Sequence, residues 1–296
     1  MAINGYLLKN ISEKFEMICC RLGCPVEVNN YVIGRCGISL DIKPALGVRI
    51  EDLLKISDDI ALQLGVYYMQ VVPPGNGSWK MQVNLLMAQP RALDLCDCDE
   101  ILRTGPYKDF LCLGSDVVSK PVMLNMKENP NILVVGKNAD RKQAFIEVLE
   151  VQAVSSAANS YEAIHIKPEN AITTLEELDK ESMSGNYMVL IDEYAELLRA
   201  HGEEAERCIA KLTLRPASSN IRLLLATEYP AVDVVSGVIK YGFPTRIAFR
   251  LNNKIESRTV LDVAGAENLA GPGEALLVSR DAKSPVWFEI PENTDG

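Results

Sequence analysis

Asn131-Ile-Leu-Val-Val-Gly136-Lys-Asn-Ala-Asp140-Arg-Lys-Gln143 is the stretch on which the reading of this chain turns. Four apolar residues predict a buried strand, Gly136 ends it, and a helical segment is expected from about Arg141. That is the strand–loop–helix order of a phosphate-binding loop. Against G-x-x-x-x-G-K-[ST], Gly136 and Lys142 fit. Arg141 stands at the second glycine and Gln143 at the hydroxyl position.

Downstream, apolar runs alternate with helical segments. The runs are Ala163–Ile166, Met188–Ile191, Arg222–Ala226, Arg246–Phe249, Ala275–Val278 and Val286–Ile290. Near-continuous apolar strands are what a sheet covered on both faces requires. Leu111–Gly114 and Pro121–Leu124 read as a strand pair ahead of the loop. The second half is thus an α/β nucleotide-hydrolase-like core.

The first half has a different grammar. Leu7, Leu8, Ile11, Phe15, Ile18 and Leu22 recur at helical spacing, with Gly23 and Pro25 as the stop. Val26, Val28 and Tyr31–Ile33 predict one strand, and the alternating Cys36, Ile38, Leu40 and Ile42 a second. Ile50–Leu64 reads as one helix burying Leu53, Leu54, Ile60, Ala61 and Leu64. Tyr67–Val72 predicts a strand, Pro73-Pro-Gly-Asn-Gly77 a turn, and Trp79, Met81, Val83 and Leu85 the return strand. This is a small α+β module. Pro90, the Cys96-Asp-Cys-Asp-Glu100 run and Gly105-Pro106 mark 88–107 as a linker. The expected domains are 1–105 and 106–296.

With 296 residues, 48% hydrophobic and 24% charged, the chain is of ordinary globular composition and long enough for two domains. No apolar run approaches the ~18 residues that span a bilayer. The N-terminus lacks the pattern of a signal peptide, so a cytoplasmic location with no membrane segment is expected. A net charge of −10 argues against a broad nucleic-acid-binding surface but leaves room for a confined basic stripe. The eight cysteines lack paired C-x-x-C spacing and read as reduced thiols, several of them in the core.

Three further segments carry chemical content. Tyr187–Ile191 is an apolar strand ending in Asp192-Glu193. In phosphoryl-transfer enzymes an Asp so placed holds magnesium and a Glu activates water. The plainer reading is a strand entering a helix whose N-terminus welcomes acids. Leu223–Ala226 ends in Thr227-Glu228, where Thr227 either faces a γ-phosphate or simply closes a strand. Arg258 could stabilise phosphoryl-transfer charge across a subunit boundary, or pair with Glu256 or Asp262.

Taken in order, these segments resemble the ATP-driven DNA translocases of the FtsK/SpoIIIE family. The matches are Leu111–Gly136, Tyr187–Leu198, Leu223–Lys240, Phe243–Phe249, Lys254–Asp262 and Gly265–Leu277. Gly47–Ile50 and Ser57–Leu62 resemble the smaller domain ahead of the motor. The resemblance implies a RecA-like P-loop NTPase core, a smaller N-terminal α+β domain, and a homohexameric ring around double-stranded DNA. It implies ATP and Mg held by Gly136, Lys142 and Thr227, with Asp192 as the metal-binding residue and Asp192, Glu193 and Arg258 as the catalytic set.

The chain also departs from the family. Arg141 replaces a glycine whose backbone must approach phosphate, Asp140 adds a negative charge there, and Gln143 cannot supply the hydroxyl that ligates magnesium. Glu228-Tyr229 replaces a Gln-Arg pair. The segment between the loop and Asp192 is shorter than in the family, so a strand, helix or DNA-facing loop is expected to be missing, and a winged-helix domain is not expected. The expectation is a translocase homologue impaired in ATP hydrolysis. The alternatives are an active double-stranded DNA translocase and a non-catalytic assembly or regulatory module.

Overall fold

The computed structural model describes residues 5–33, 37–66, 68–72, 81–86, 95–155, 160–180, 185–216, 219–269, 271, 273–280 and 285–291. The 73–77 turn, Cys36, Tyr67, Trp79, Pro90 and the side chains of Leu7 and Leu8 lie outside the described residues. Two compact units are present: Met1–Ala92 with Ser115–Lys120, and Leu93–Gly114 with Pro121–Gly296.

The smaller unit runs α1 (Gly5–Arg21), β1 (Val26–Ile33), β2 (Gly37–Pro44), α2 (Ile50–Lys55), α3 (Ser57–Leu64), β3 (Tyr68–Val72) and β4 (Met81–Leu86). Its strands form an antiparallel sheet in the order β1-β2-β4-β3. Strand alternation sends Ile38, Leu40, Ile42, Val83 and Leu85 into a core with Phe15, Ile18, Leu53 and Ile60. Intervening positions carry polar partners: Gln82 donates to Ser39, and Asn84 donates to Gln70 at 3.3 Å. Helix α1 stops at Gly23, whose φ of +79° is the left-handed conformation that glycine adopts freely.

The expected single helix over Ile50–Leu64 is instead two. The chain leaves helical geometry at Ile56 (φ −105°, ψ 6°), and the break turns Leu54 out to 50% exposure while Leu53, Ile60 and Ala61 stay buried. Four acids, Glu51, Asp52, Asp58 and Asp59, sit in two successive first turns. Each helix N-terminus is thereby supplied with the negative charge it favours.

The larger unit begins with α4 (Leu95–Thr104), β5 (Phe110–Ser115), β6 (Pro121–Asn125), β7 (Asn131–Val135) and α5 (Ala139–Ser155). It continues with β8 (Glu162–His165), α6 (Ala171–Asp179), β9 (Tyr187–Ile191), α7 (Tyr194–His201), α8 (Glu203–Thr213) and β10 (Ile221–Thr227). It closes with α9 (Gly237–Gly242), β11 (Thr245–Phe249), α10 (Lys254–Leu261), β12 (Glu274–Val278) and β13 (Val286–Glu289). The nine strands lie in the order β6-β5-β13-β12-β11-β7-β10-β9-β8. From β8 to β11 the pairing is parallel, and β11-β12-β13 is antiparallel. Every residue of β7, β10 and β11 is buried, as a central strand covered on both faces requires.

One expectation fails here, and the segment ahead of Asp192 has elements of its own. The stretch read as a linker holds α4, because Cys98 and Leu102 share one helical face and pack on Cys112 and Met123. The segment between the loop and Asp192 lacks neither strand nor helix: β8 and α6 fill it.

Candidate site at the carboxyl edge of the sheet

Chain order places the site. From β7 the chain crosses to the edge strand β8 and returns through β9 to β10 beside β7. Ligands in open α/β sheets sit outside the carboxyl ends of strands at such a reversal. Pairing aligns Val135 with Thr227 and Ile191 with Leu225, so the ends of β7, β9 and β10 come together.

The loop after β7 is short. Helix α5 begins at Ala139, three residues past Gly136 and two before the expected start. Asn138 caps it: its side-chain oxygen accepts the Arg141 N–H at 2.9 Å, and its carbonyl accepts the Lys142 N–H at 3.1 Å. Gly136 N–H donates to the Thr227 carbonyl at 3.2 Å. Gly136 is required here by Phe249, because a Cβ would lie 2.9 Å from the Phe249 Cβ. Asp140 is exposed in the first turn of α5, where its charge favours the helix. Gln143 donates to Glu147 at 3.0 Å along the helix.

Lys142 is the centre of the site. Its side chain is 1% exposed, and its ammonium is bonded to Glu193 and lies 3.7 Å from both Asp192 and Glu228. Burial pushes the Glu193 carboxyl up. The Lys142 hydrogen bond and charge pull it back, while Glu228 and Asp192 add to the rise; the net direction is upward. One Asp192 oxygen is buried without a hydrogen-bond partner. Thr227 is fully buried, and its hydroxyl accepts the Tyr229 N–H at 3.2 Å, which turns it into the strand end. Among the described residues, no group of three His, Cys, Asp or Glu side chains is arranged to hold a metal ion.

Gly136, Lys142, Asp192, Glu193 and Thr227 therefore meet at one edge. Arg258 does not join them in this chain: it is exposed on α10 and makes no ion pair among the described residues. The acids expected to pair with it are engaged elsewhere. Glu256 meets Lys137 at 3.6 Å, and Asp262 meets Lys240 at 2.7 Å and Arg246 at 2.8 Å. Sequence reasoning missed Glu228 as the third carboxylate around Lys142. Its place immediately after Thr227, at a strand's carboxyl end, was the available signal. It also missed Asn138, an Asn three residues ahead of the N–H that it caps.

No family model matches the chain. Individual proteins do. The chain aligns at 25% identity over 87% of its length with DNA translocase FtsK of Helicobacter pylori. DNA translocase SftA of Bacillus subtilis aligns at 26% identity over 84% of the chain. Over most of its length the chain is similar in sequence to proteins named DNA translocases FtsK and SftA. It spans 36% of that FtsK and 32% of SftA, so it corresponds to about a third of the relatives it matches. The chain also superposes on the pCW3 conjugation coupling protein TcpA, solved in monomer form with ATPgS. The TM-score is 0.62 at 15% identity, covering 95% of each chain. The cytoplasmic domain of the Thermomonospora curvata Type VII secretion ATPase EccC gives 0.57 at 16% identity over 70% of this chain and 32% of EccC. These likenesses show that the chain shares its α/β fold with those proteins. No helix among the described residues is long and apolar enough to cross a membrane.

Proposed function

We propose that this chain is a translocase homologue that has kept the motor fold and lost efficient ATP turnover. The observation that carries this reading is the Lys142 ammonium, buried and surrounded by the carboxylates of Glu193, Asp192 and Glu228. A phosphate loop needs that ammonium for the β- and γ-phosphates, and needs free backbone N–H groups around them. Here three carboxylates against one ammonium leave a net charge of about −2, which opposes a polyphosphate. The N–H groups that would cradle it belong to a capped helix, since α5 starts at Ala139 and Asn138 occupies the Arg141 N–H. Gln143 offers magnesium no hydroxyl and is turned to Glu147. The residues present do not fit a magnesium nucleotide, the buried Asp192 oxygen without a hydrogen-bond partner notwithstanding.

The test is phosphate release by the purified chain with ATP, magnesium and duplex DNA, together with calorimetry of nucleotide binding. The expected result is neither heat of binding at millimolar nucleotide nor DNA-stimulated hydrolysis. Hydrolysis abolished by Asp192→Asn or Glu193→Gln overturns the proposal.

The relatives are named DNA translocases, and duplex DNA engaged by a ring of copies is the matching proposal for this chain. The net charge of −10 favours a second reading, an assembly or regulatory module that does not grip DNA. Sedimentation with and without duplex DNA separates the two. A DNA-dependent oligomer supports the ring, and a species indifferent to DNA supports the module.

A further inference from the structure

We propose that Cys98 and Cys112 form a site of reversible thiol oxidation, which hydrogen peroxide closes to a disulfide and a thiol reductant reopens. The two sulfurs are 3.1 Å apart, and both residues are fully buried. They are free thiols, within about 1 Å of bonding distance. The fold brings them together from separate elements. On β5, Leu111 and Leu113 enter the main core of the larger unit, while Cys112 between them belongs to a small separate cluster with Cys98, Leu102 and Met123. Gln152 of α5 anchors Cys112 by accepting its N–H at 2.8 Å and donating to its carbonyl at 3.1 Å.

Access and chemistry favour this pair. Cys98 is the only buried residue of α4, so the helix is held by little apolar contact and opens locally at low cost. The contact with Cys112 and burial both push the Cys98 thiol up. The same contact pulls the Cys112 thiol down, so Cys112 supplies the thiolate. That thiolate attacks peroxide: an S–O bond forms, the O–O bond breaks, and hydroxide leaves to take a proton as water. The Cys98 sulfur then displaces the sulfenic oxygen: the S–S bond forms, the S–O bond breaks, and a second water departs with the second proton. Two electrons pass from the sulfurs to peroxide.

Closure acts on a specific structure. Leu95 and Asp99, on the same face of α4 as Cys98, form one wall of a cleft of about 510 Å³, faced by Arg141, Val148 and Val151 of α5. A disulfide pins that wall.

The experiment treats the full chain with peroxide, alkylates the remaining thiols, digests it and maps the peptides. The expected product joins the Cys98 and Cys112 peptides, is two hydrogens lighter than the reduced pair, and disappears on reduction with dithiothreitol. In Cys98→Ala and in Cys112→Ala the surviving thiol of the pair should be found unlinked, with no new disulfide to Cys20 or Cys96. Amide exchange across Leu95–Thr104 should slow on oxidation of the wild type. Should either alanine variant fail to fold by circular dichroism, the wild-type map decides alone. Oxidation confined to the exposed Cys20 and Cys96, a link made through Cys96, or unchanged exchange in α4 overturns the proposal.

Discussion

Lys142 and Glu193 form an ion pair at the carboxyl edge of the parallel sheet, the lysine side chain 1% exposed and the glutamate 33%. The pair is asymmetric. The lysine side chain is buried, whereas the carboxylate is about a third exposed. Removing the carboxylate is therefore the costlier charge change, because it strands a buried cation with Asp192 and Glu228 at 3.7 Å.

Glu193→Gln is expected to lower unfolding stability by about 2–3 kcal/mol. Glu228→Gln, which leaves the direct bond intact, should cost under about 1 kcal/mol. Urea denaturation of both variants checks the ranking; equal losses would mean that the three carboxylates share the ammonium evenly.

Asn138→Ala removes the side-chain cap on the Arg141 N–H. The expected cost is about 1 kcal/mol, with Asn138→Asp retaining most of the stability. Thermal unfolding of the pair measures it, and an alanine variant as stable as the aspartate variant would contradict the capping role.

Gly136→Ala places a methyl 2.9 Å from the Phe249 Cβ and 3.1 Å from its ring. Phe249 is 2% exposed and meets Phe145 edge-on at 5.5 Å, so it has little room to yield. A loss of about 1–3 kcal/mol is expected. Phe249→Leu should relieve part of it, so a double-mutant cycle should show the two changes costing less than their sum. Strict additivity would remove the steric account.

Asp262→Asn tests the pair of salt bridges to Lys240 and Arg246. Burial acts to raise the Asp262 carboxyl, but the hydrogen bonds and charges of Lys240 and Arg246 prevail and hold it below the usual range. A depressed carboxyl contributes stability above its unfolded pKa and loses it as pH falls through the folded value. Asp262 is 55% exposed, so solvent screening limits its contribution. Asparagine tolerates its left-handed φ of 64°. The variant should be less stable by about 1 kcal/mol at neutral pH, and the difference should shrink as pH falls below about 4. Stability curves against pH for both proteins decide it; a gap that persists in acid would rule out the charge explanation.

The legible parts of the fold were those where one periodicity governs a long enough run. Apolar runs such as Leu223–Ala226 could only be central strands, and β10 runs Ile221–Thr227. Helix α4 was illegible because its first turn carries Cys96, Asp97 and Cys98, a pattern without a full apolar stripe, and it buries one residue. The break at Ile56 was hidden because Ile50–Leu64 keeps helical spacing across it while the backbone does not.

At the site, the sequence alone determined which residues could meet. Asp192, Glu193 and Thr227 end apolar runs and Gly136 and Lys142 follow another, which marks them in the sequence as candidates for one sheet edge. Only the tertiary structure decided what they do to one another. A side chain's partners depend on distances of a few ångströms across elements far apart in the chain. Those distances turn Thr227 inward to Tyr229, set Phe249 against Gly136, start α5 at Ala139, and place the Lys142 ammonium among carboxylates from two different strand ends. The opening stretch names a phosphate loop by its spacing; packing and charge around Lys142 determine which partner the lysine holds.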